Sequence, residues 1–233
     1  MIKTVLNAVL VVAILVMGFL LCKSIQKPIA FGDAKDKRQA AVIKKLVDIR
    51  KAQECFKENY GHYTANFDSL KTFVKEGQKK VVEKKGTITD QQLEKGLTEK
   101  KAWEMVYKNN GSDAAKYGIE DFEAFKSYFR RDTVFQSVME VEFGKDYPID
   151  TLDIVPFTNG KDKFVMNAVM KFNEKSGFSI PLFEASVLND VYLNGLDKQE
   201  IINMNAQAKN LEKFAGLKVG DVEIPNNNAG NWE

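Results

Sequence analysis

The chain is poor in the residues from which most catalytic centres are built. Among 233 residues it has one histidine, His62, and two cysteines, Cys22 and Cys55. That excludes zinc sites of the usual Cys/His kind and any multi-histidine centre. With Cys22 inside an apolar run, there is no intrachain disulfide framework either, and Cys55 reads as a small packed residue. Imidazole acid–base work would fall to His62 alone, which stands in a turn between Tyr60 and Tyr63. Phosphate loops of the GxxxxGK[ST] or GxGxxG kind are missing, as are a GxSxG elbow and the ligand spacing of a calcium loop. The carboxylates are plentiful but ungrouped; Glu120 and Asp121 have a sufficient role at a helix start. Neither charge sign dominates, with Lys+Arg 34 against Asp+Glu 32, so the basic excess of a dedicated nucleic-acid binder is absent. The expectation is a protein that is not an enzyme, with no catalytic, cofactor-binding or metal residues.

The most distinct feature present is an apolar run. From Thr4 to Cys22 no residue is charged, and only Thr4 and Asn7 are polar. As a helix this run spans about 28 Å, close to the hydrocarbon thickness of a bilayer. Lys3 and Lys23 bracket it. The run is longer than the core of a cleaved signal peptide, and Phe19 to Lys23 offer no small-x-small cleavage site. Bulky Leu20 and Leu21 ahead of Cys22 do not suit lipoprotein processing. Residues 1–27 therefore read as an uncleaved single-pass anchor whose first partner is the lipid bilayer. Lys27, Lys35, Lys37 and Arg38 come after it, and the positive-inside rule taken literally would keep the rest in the cytoplasm. An N-terminal anchor with so short a lead more often sends the domain behind it across, so an extracytoplasmic domain on a bacterial cytoplasmic membrane is expected.

Beyond the anchor the pattern is α+β. Pro28 is expected to end the first helix, with Asp33 capping a second, amphipathic helix from Ala34 to Tyr60. Its apolar stripe includes Ile43, Leu46, Ile49 and Phe56, spaced by threes and fours. This is a candidate interaction face, packing within its own domain or on a second copy. Gly61 suits a left-handed cap. The segment Tyr60-Gly61-His62-Tyr63-Thr64 reads as a structural turn, leading to a short helix with Phe67, Leu70, Phe73 and Val74 on one side. Residues 78–101 are rich in lysine and read as an exposed connector, passing into a helix from Asp90 to Tyr107 that breaks near Gly96. A loop at residues 109–113 precedes a helix from Ile119 to Phe129.

From Thr133 β-branched and aromatic residues alternate, giving a strand over 134–141, a hairpin from 151–157 and 163–169, and a strand from Phe178 to Val187. Pro181 marks that last strand as an edge or a bulge. A helix then opens at Asp197 and runs to Phe214, and the tail reads as irregular. Its Trp232 either docks on the domain or is offered to a partner. The outline is an N-terminal transmembrane helix, a long amphipathic helix and helical middle over 28–131, then a small antiparallel sheet with a C-terminal helix over 132–233.

Residues 4–74 carry a resemblance: a membrane helix, then Ile49-Arg50-Lys51-Ala52-Gln53, Phe56, Tyr60-Gly61-x-Tyr63-Thr64, Phe67 and Leu70. This arrangement resembles the bacterial pilin and pseudopilin plan. The resemblance implies hydrophobic helices that bundle and soluble domains that decorate the bundle. The glycine–phenylalanine processing site and the early glutamate of that family are missing: the chain starts Met1-Ile2-Lys3-Thr4, and its apolar run holds no acid. The chain also resembles uncharacterised single-pass bacterial envelope proteins. The functional expectation is a structural or assembly component acting through contacts with other envelope proteins or with itself. Alternatives are an extracytoplasmic ligand-binding or sensory module, or an enzyme of unknown type.

Overall fold

The computed structural model describes residues 2–108, 111–173 and 177–233. Within the first helix, side chains at 2–9, 11 and 20–25 fall outside that description, and most of the expected anchor lies there. Among the described residues no helix is long and apolar enough to cross a membrane. The loop expected at Asn109 and Asn110 likewise lies outside the described residues.

Helix α1 runs unbroken from Ile2 to Tyr60 with Pro28 inside it, which corrects the expected break. Proline removes one i→i−4 hydrogen bond and strains a neighbouring carbonyl, a cost of about 3 kcal/mol. Long helical stretches on both sides outweigh that local loss. The expected cap at Asp33 is accordingly an ordinary helical position. Helix α2, Phe67–Glu76, comes after the turn and buries Leu70, Phe73 and Val74.

The chain divides into two compact units. One is Met1–Lys75 together with Asp146–Glu233, and the other is Glu76–Lys145. The middle unit is therefore inserted in chain order into the first, and the compositional change near residue 131 falls inside it.

In the larger unit β3 (Val165–Asn173), β4 (Phe178–Leu188) and β5 (Gly216–Gly220) form an antiparallel sheet in the order β3-β4-β5. The register Ala168↔Phe183, Met166↔Ala185, Ala185↔Val219 and Val187↔Leu217 puts these residues on one face. Helix α1 packs on β4 and β5, and its Val42, Leu46, Ile49 and Ala52 are fully buried. Between β4 and β5 lie α6 (Asn189–Tyr192) and α7 (Lys198–Asn210), the latter capped by Asp197 as its sequence suggested. Pro181 lies in the central strand, but on a stretch that is locally an edge, as expected. It pairs with Met170 of β3, while β5 begins only opposite Glu184, so this part of β4 has a neighbour on one side. The expected 151–157/163–169 hairpin reduces to a single bridge, Ile154↔Lys163. Its second arm pairs with β4 instead, because β4 supplies a long apolar partner.

In the inserted unit β1 (Gln78–Lys85) pairs antiparallel with β2 (Arg130–Ser137). The first half of the expected connector is therefore a strand: Val81 and Val82 sit opposite Val134 and Thr133. The ladder sets Lys84 against Arg131 and Lys85 against Arg130, a destabilising like-charge arrangement. Glu99 offsets it, lying 2.6 Å from Arg131 Nε and 3.9 Å from Lys84 Nζ. The hydrogen bond from Arg131 holds the Glu99 carboxyl below its usual range. The Arg131 guanidinium also lies 3.8 Å from the centre of the Phe129 ring and donates to the Lys85 and Gly86 carbonyls. Gly86 has φ +75°, and a Cβ there would collide with the Tyr128 carbonyl oxygen, so only glycine fits. Helices α3 (Asp90–Glu94), α4 (Glu99–Tyr107) and α5 (Phe122–Tyr128) also belong to this unit. Leu97, Ala102, Met105, Val106, Phe125 and Phe129 belong to one buried cluster. Strand β2 stops at Ser137, short of the expected 141. The Val138 N–H bonds to Gly77, and Met139–Phe143 then coils, bringing Glu142 within 3.1 Å of Lys79.

Candidate functional site: the long helix, its turn and its clasp

The stripe expected as an interaction face is used at home. Leu46 and Ile49 are fully buried and Phe56 is buried, while Ile43 is half-buried. Of the two coverings expected, a second copy or its own domain, the second is the one found. This unit's own sheet and α2 cover the stripe, with Phe56 edge-on to Phe73 at 5.2 Å. Cys55 is buried beside them and not in a disulfide.

At the other end of α1 the situation is reversed. Leu10, Val12, Ile14, Leu15, Val16, Met17 and Phe19 are each more than half exposed. Moving one such side chain out of water is worth roughly 1.5–3 kcal/mol. Seven together form far more apolar surface than a chain ordinarily leaves in water.

The turn after α1 depends on a residue that the apolar pattern concealed. Gln53 is fully buried. Its Nε2 donates to the Thr64 carbonyl, its Oε1 accepts from the Thr64 N–H at 3.1 Å, and Met166 Sδ lies 3.0 Å from Nε2. Both backbone groups of Thr64 are thereby satisfied by one side chain, as a strand neighbour would satisfy them. Gly61 adopts φ +78° and donates to the Lys57 carbonyl at 2.8 Å. Tyr60 is exposed, whereas Tyr63 is buried with its ring 4.7 Å from that of Phe183. His62 is exposed, its Nδ1 3.0 Å from the Tyr60 carbonyl oxygen.

The tail expected to be irregular forms a clasp. Arg50 donates to the Asn228 carbonyl at 3.1 Å and pairs with Glu233 at 2.7 Å. Asn228 Nδ2 donates to the Tyr63 hydroxyl at 2.9 Å and to Glu54 at 3.3 Å. Gly230 bridges Val219, and Asn231 continues along the outer edge of β5. Its N–H donates to the Lys218 carbonyl, its Oδ1 accepts from the Lys218 N–H, and its Nδ2 donates to the Gly216 carbonyl. One asparagine thus closes the β5 edge. Trp232 is half-buried, its ring so close to Gly230 that a Cβ there would meet it. Trp232 lines a cleft of its own unit together with Met204 and Phe214. Asn227 and Asn228 take left-handed conformations, with φ +54° and +58°, which asparagine tolerates. The run of asparagines is explained by these demands on backbone and edge.

A charged cluster ties α1 and α2 to the 147–163 segment. Asp153, 2% exposed, receives Lys163 at 2.7 Å and Lys71 at 3.1 Å. Lys45 Nζ donates to the Thr151 carbonyl and hydroxyl, both at 3.1 Å, and Tyr147 donates to Asp48 at 2.6 Å. Burial lowers Lys45 below its usual value, and burial with the Asp48 contact holds the Tyr147 phenol well above its own. Burial pushes the Asp153 carboxyl up, but hydrogen bonds from Lys163 and Lys71 outweigh it and leave the group below the usual range. A carboxyl depressed on folding contributes stability that is complete above its unfolded value, near pH 4, and lost as pH falls through the lower folded value. Urea midpoints should therefore fall from about pH 4 downward, and Asp153→Asn should flatten that slope while costing roughly 1–3 kcal/mol at pH 7. An unchanged acid slope in the variant would refute the assignment. The cluster reads as a structural brace, because every cation in it has a carboxylate or backbone oxygen.

Among the described residues no group of three or more His, Cys, Asp or Glu is placed to hold a metal ion. Comparison with protein-family models, with curated proteins and with solved structures finds no match.

Proposed function

We propose that this chain is a membrane-tethered component of a bacterial envelope, built on a pilin-like plan and acting through protein contacts, not catalysis. One observation carries the reading. A single helix has one half buried against an antiparallel sheet and the other half lined with exposed large apolar side chains, Leu10 to Phe19. Lipid covers that half, or lipid together with helices of neighbouring subunits. In this reading the continuous path through Pro28 lets the same helix serve as tether and as scaffold. The soluble units lie outside the cytoplasmic membrane, with α1 crossing it once. The turn held by Gln53 and the clasp on Arg50 keep the buried half rigid, so that displacement at the membrane end is passed to the sheet.

Alkaline carbonate washing of membranes tests the tether, and the chain should stay with the pellet; release into the supernatant would sink the proposal. Ile14→Cys, in a chain also carrying Cys22→Ser and Cys55→Ser, tests contact between copies. Oxidation in intact membranes should give a disulfide-linked pair, and its absence would overturn assembly with itself. A reporter fused after Glu233 should be active only outside the cytoplasm. A second reading, a ligand-binding module, is favoured by a separate observation, an open cleft at the sheet end of the larger unit.

A further inference from the structure

An open cleft of about 420 Å³ lies in the larger unit, between α1, α6, α7, β5 and the clasp. Its apolar surface comes from Met204, Ala208, Phe214, Leu217 and Trp232. The volume is within the range of small-molecule sites. The wall behind is stiff. Tyr192 donates to Asn189 Oδ1 at 3.0 Å, Asn189 Nδ2 to Asn205 at 2.8 Å, and Asn205 Nδ2 to Asp190 at 3.1 Å. Burial holds the Tyr192 phenol at about 12, so it stays a neutral donor committed to Asn189. Lys218 is committed as well, to Glu184 at 3.1 Å and Asp221 at 2.8 Å.

Three polar groups on the lining are not committed. The Gln39 carboxamide, the Lys213 ammonium and the Trp232 indole N–H make no hydrogen bond among the described residues. Indole and ammonium only donate, and a carboxamide donates through its NH₂. The only uncompensated formal charge of the three is positive. We infer that this cleft binds a small amphipathic anion, an apolar or aromatic body lying on Met204, Phe214 and Trp232 with its carboxylate or similar head on Lys213, Gln39 and the indole N–H. This goes beyond the tethering role and does not depend on it, since the cleft is confined to the sheet end of the unit.

The probe is 4-phenylbutyrate, with 4-phenylbutyramide as its neutral counterpart. The full chain carrying Trp103→Phe is placed in lipid nanodiscs, so that Trp232 is the only tryptophan reporting. Its emission should shift saturably with the acid, and the amide should bind at least fivefold more weakly. A charged head on an exposed lysine is worth about tenfold in affinity, so Lys213→Gln should lose about that much and with it the preference for the acid. Ala208→Leu, which narrows the floor, should weaken both compounds at least tenfold. Lys213 is on the surface, so its variant should fold normally. Absence of a saturable shift at millimolar acid, equal binding of acid and amide, or unchanged binding in Lys213→Gln would each overturn the inference.

Discussion

Gln53→Ala should lower the stability of the larger unit by about 3 kcal/mol, more than the loss of an ordinary helical side chain. Two contributions add. The Thr64 N–H and carbonyl both lose their partner in a half-buried place, and leaving backbone groups unpaired away from water costs ~1–3 kcal/mol. The space vacated beside Met166 adds a cavity term of similar size. Gln53→Leu fills the space but leaves Thr64 unpaired, so it should recover only part of the loss. Gln53→Glu should be worse than alanine at neutral pH, because a carboxylate cannot donate to the Thr64 carbonyl. Urea unfolding followed by Trp232 emission, with Trp103→Phe in the background, measures all three. If Gln53→Leu were as stable as the parent, the turn would not depend on this pairing. That turn carries Tyr63 and feeds α2, so its loosening should also release the Tyr63 ring from Phe183.

The second large effect concerns the tail. Ending the chain at Pro225 should destabilise the same unit by about 4–6 kcal/mol, comparable to the whole stability of many small domains. The Arg50 guanidinium would lose both its clasp partners, the Asn228 carbonyl and Glu233, and β5 would expose a bare edge where Asn231 now pairs with Gly216 and Lys218. Charged hydrogen bonds account for roughly 1.5–3 kcal/mol of this and burial of the indole for a similar amount. Asn231→Leu isolates the edge effect and should cost about 1–2 kcal/mol. Amide exchange at Lys218 is the sensitive readout: it should be slow in the parent and fast in both variants. Slow exchange in the truncated chain would show that the edge is protected by something other than the clasp.

Legibility in the sequence tracked the range of the interactions concerned. The stripe Leu46-Ile49-Phe56, the Asp197 start of α7 and the Gly61 cap are local patterns, settled within a few residues by helical spacing and backbone sterics. They could be read directly. The lysine-rich segment at 78–85 read as a connector because its strand character depends on β2, some fifty residues away. Gln53 entered only within the run Ile49-Arg50-Lys51-Ala52-Gln53 that carries the resemblance; what sets it apart is its position facing Thr64 across the turn. Of the clasp, only Trp232 carried an expectation, docking or a partner; the asparagines and Gly230 read as an irregular tail. Each of those residues answers a particular backbone group brought there by folding.

Helical periodicity and burial therefore come from this chain's own residue order, since both depend on neighbours three and four positions away. The pairing of β1 with β2, the choice of β4 over a local hairpin for the 165–173 segment, and the closure of β5 by Asn231 were decided by the tertiary structure. An unpaired backbone group or a lone charge acquires its partner only once distant segments meet, and no local pattern specifies which segment that will be.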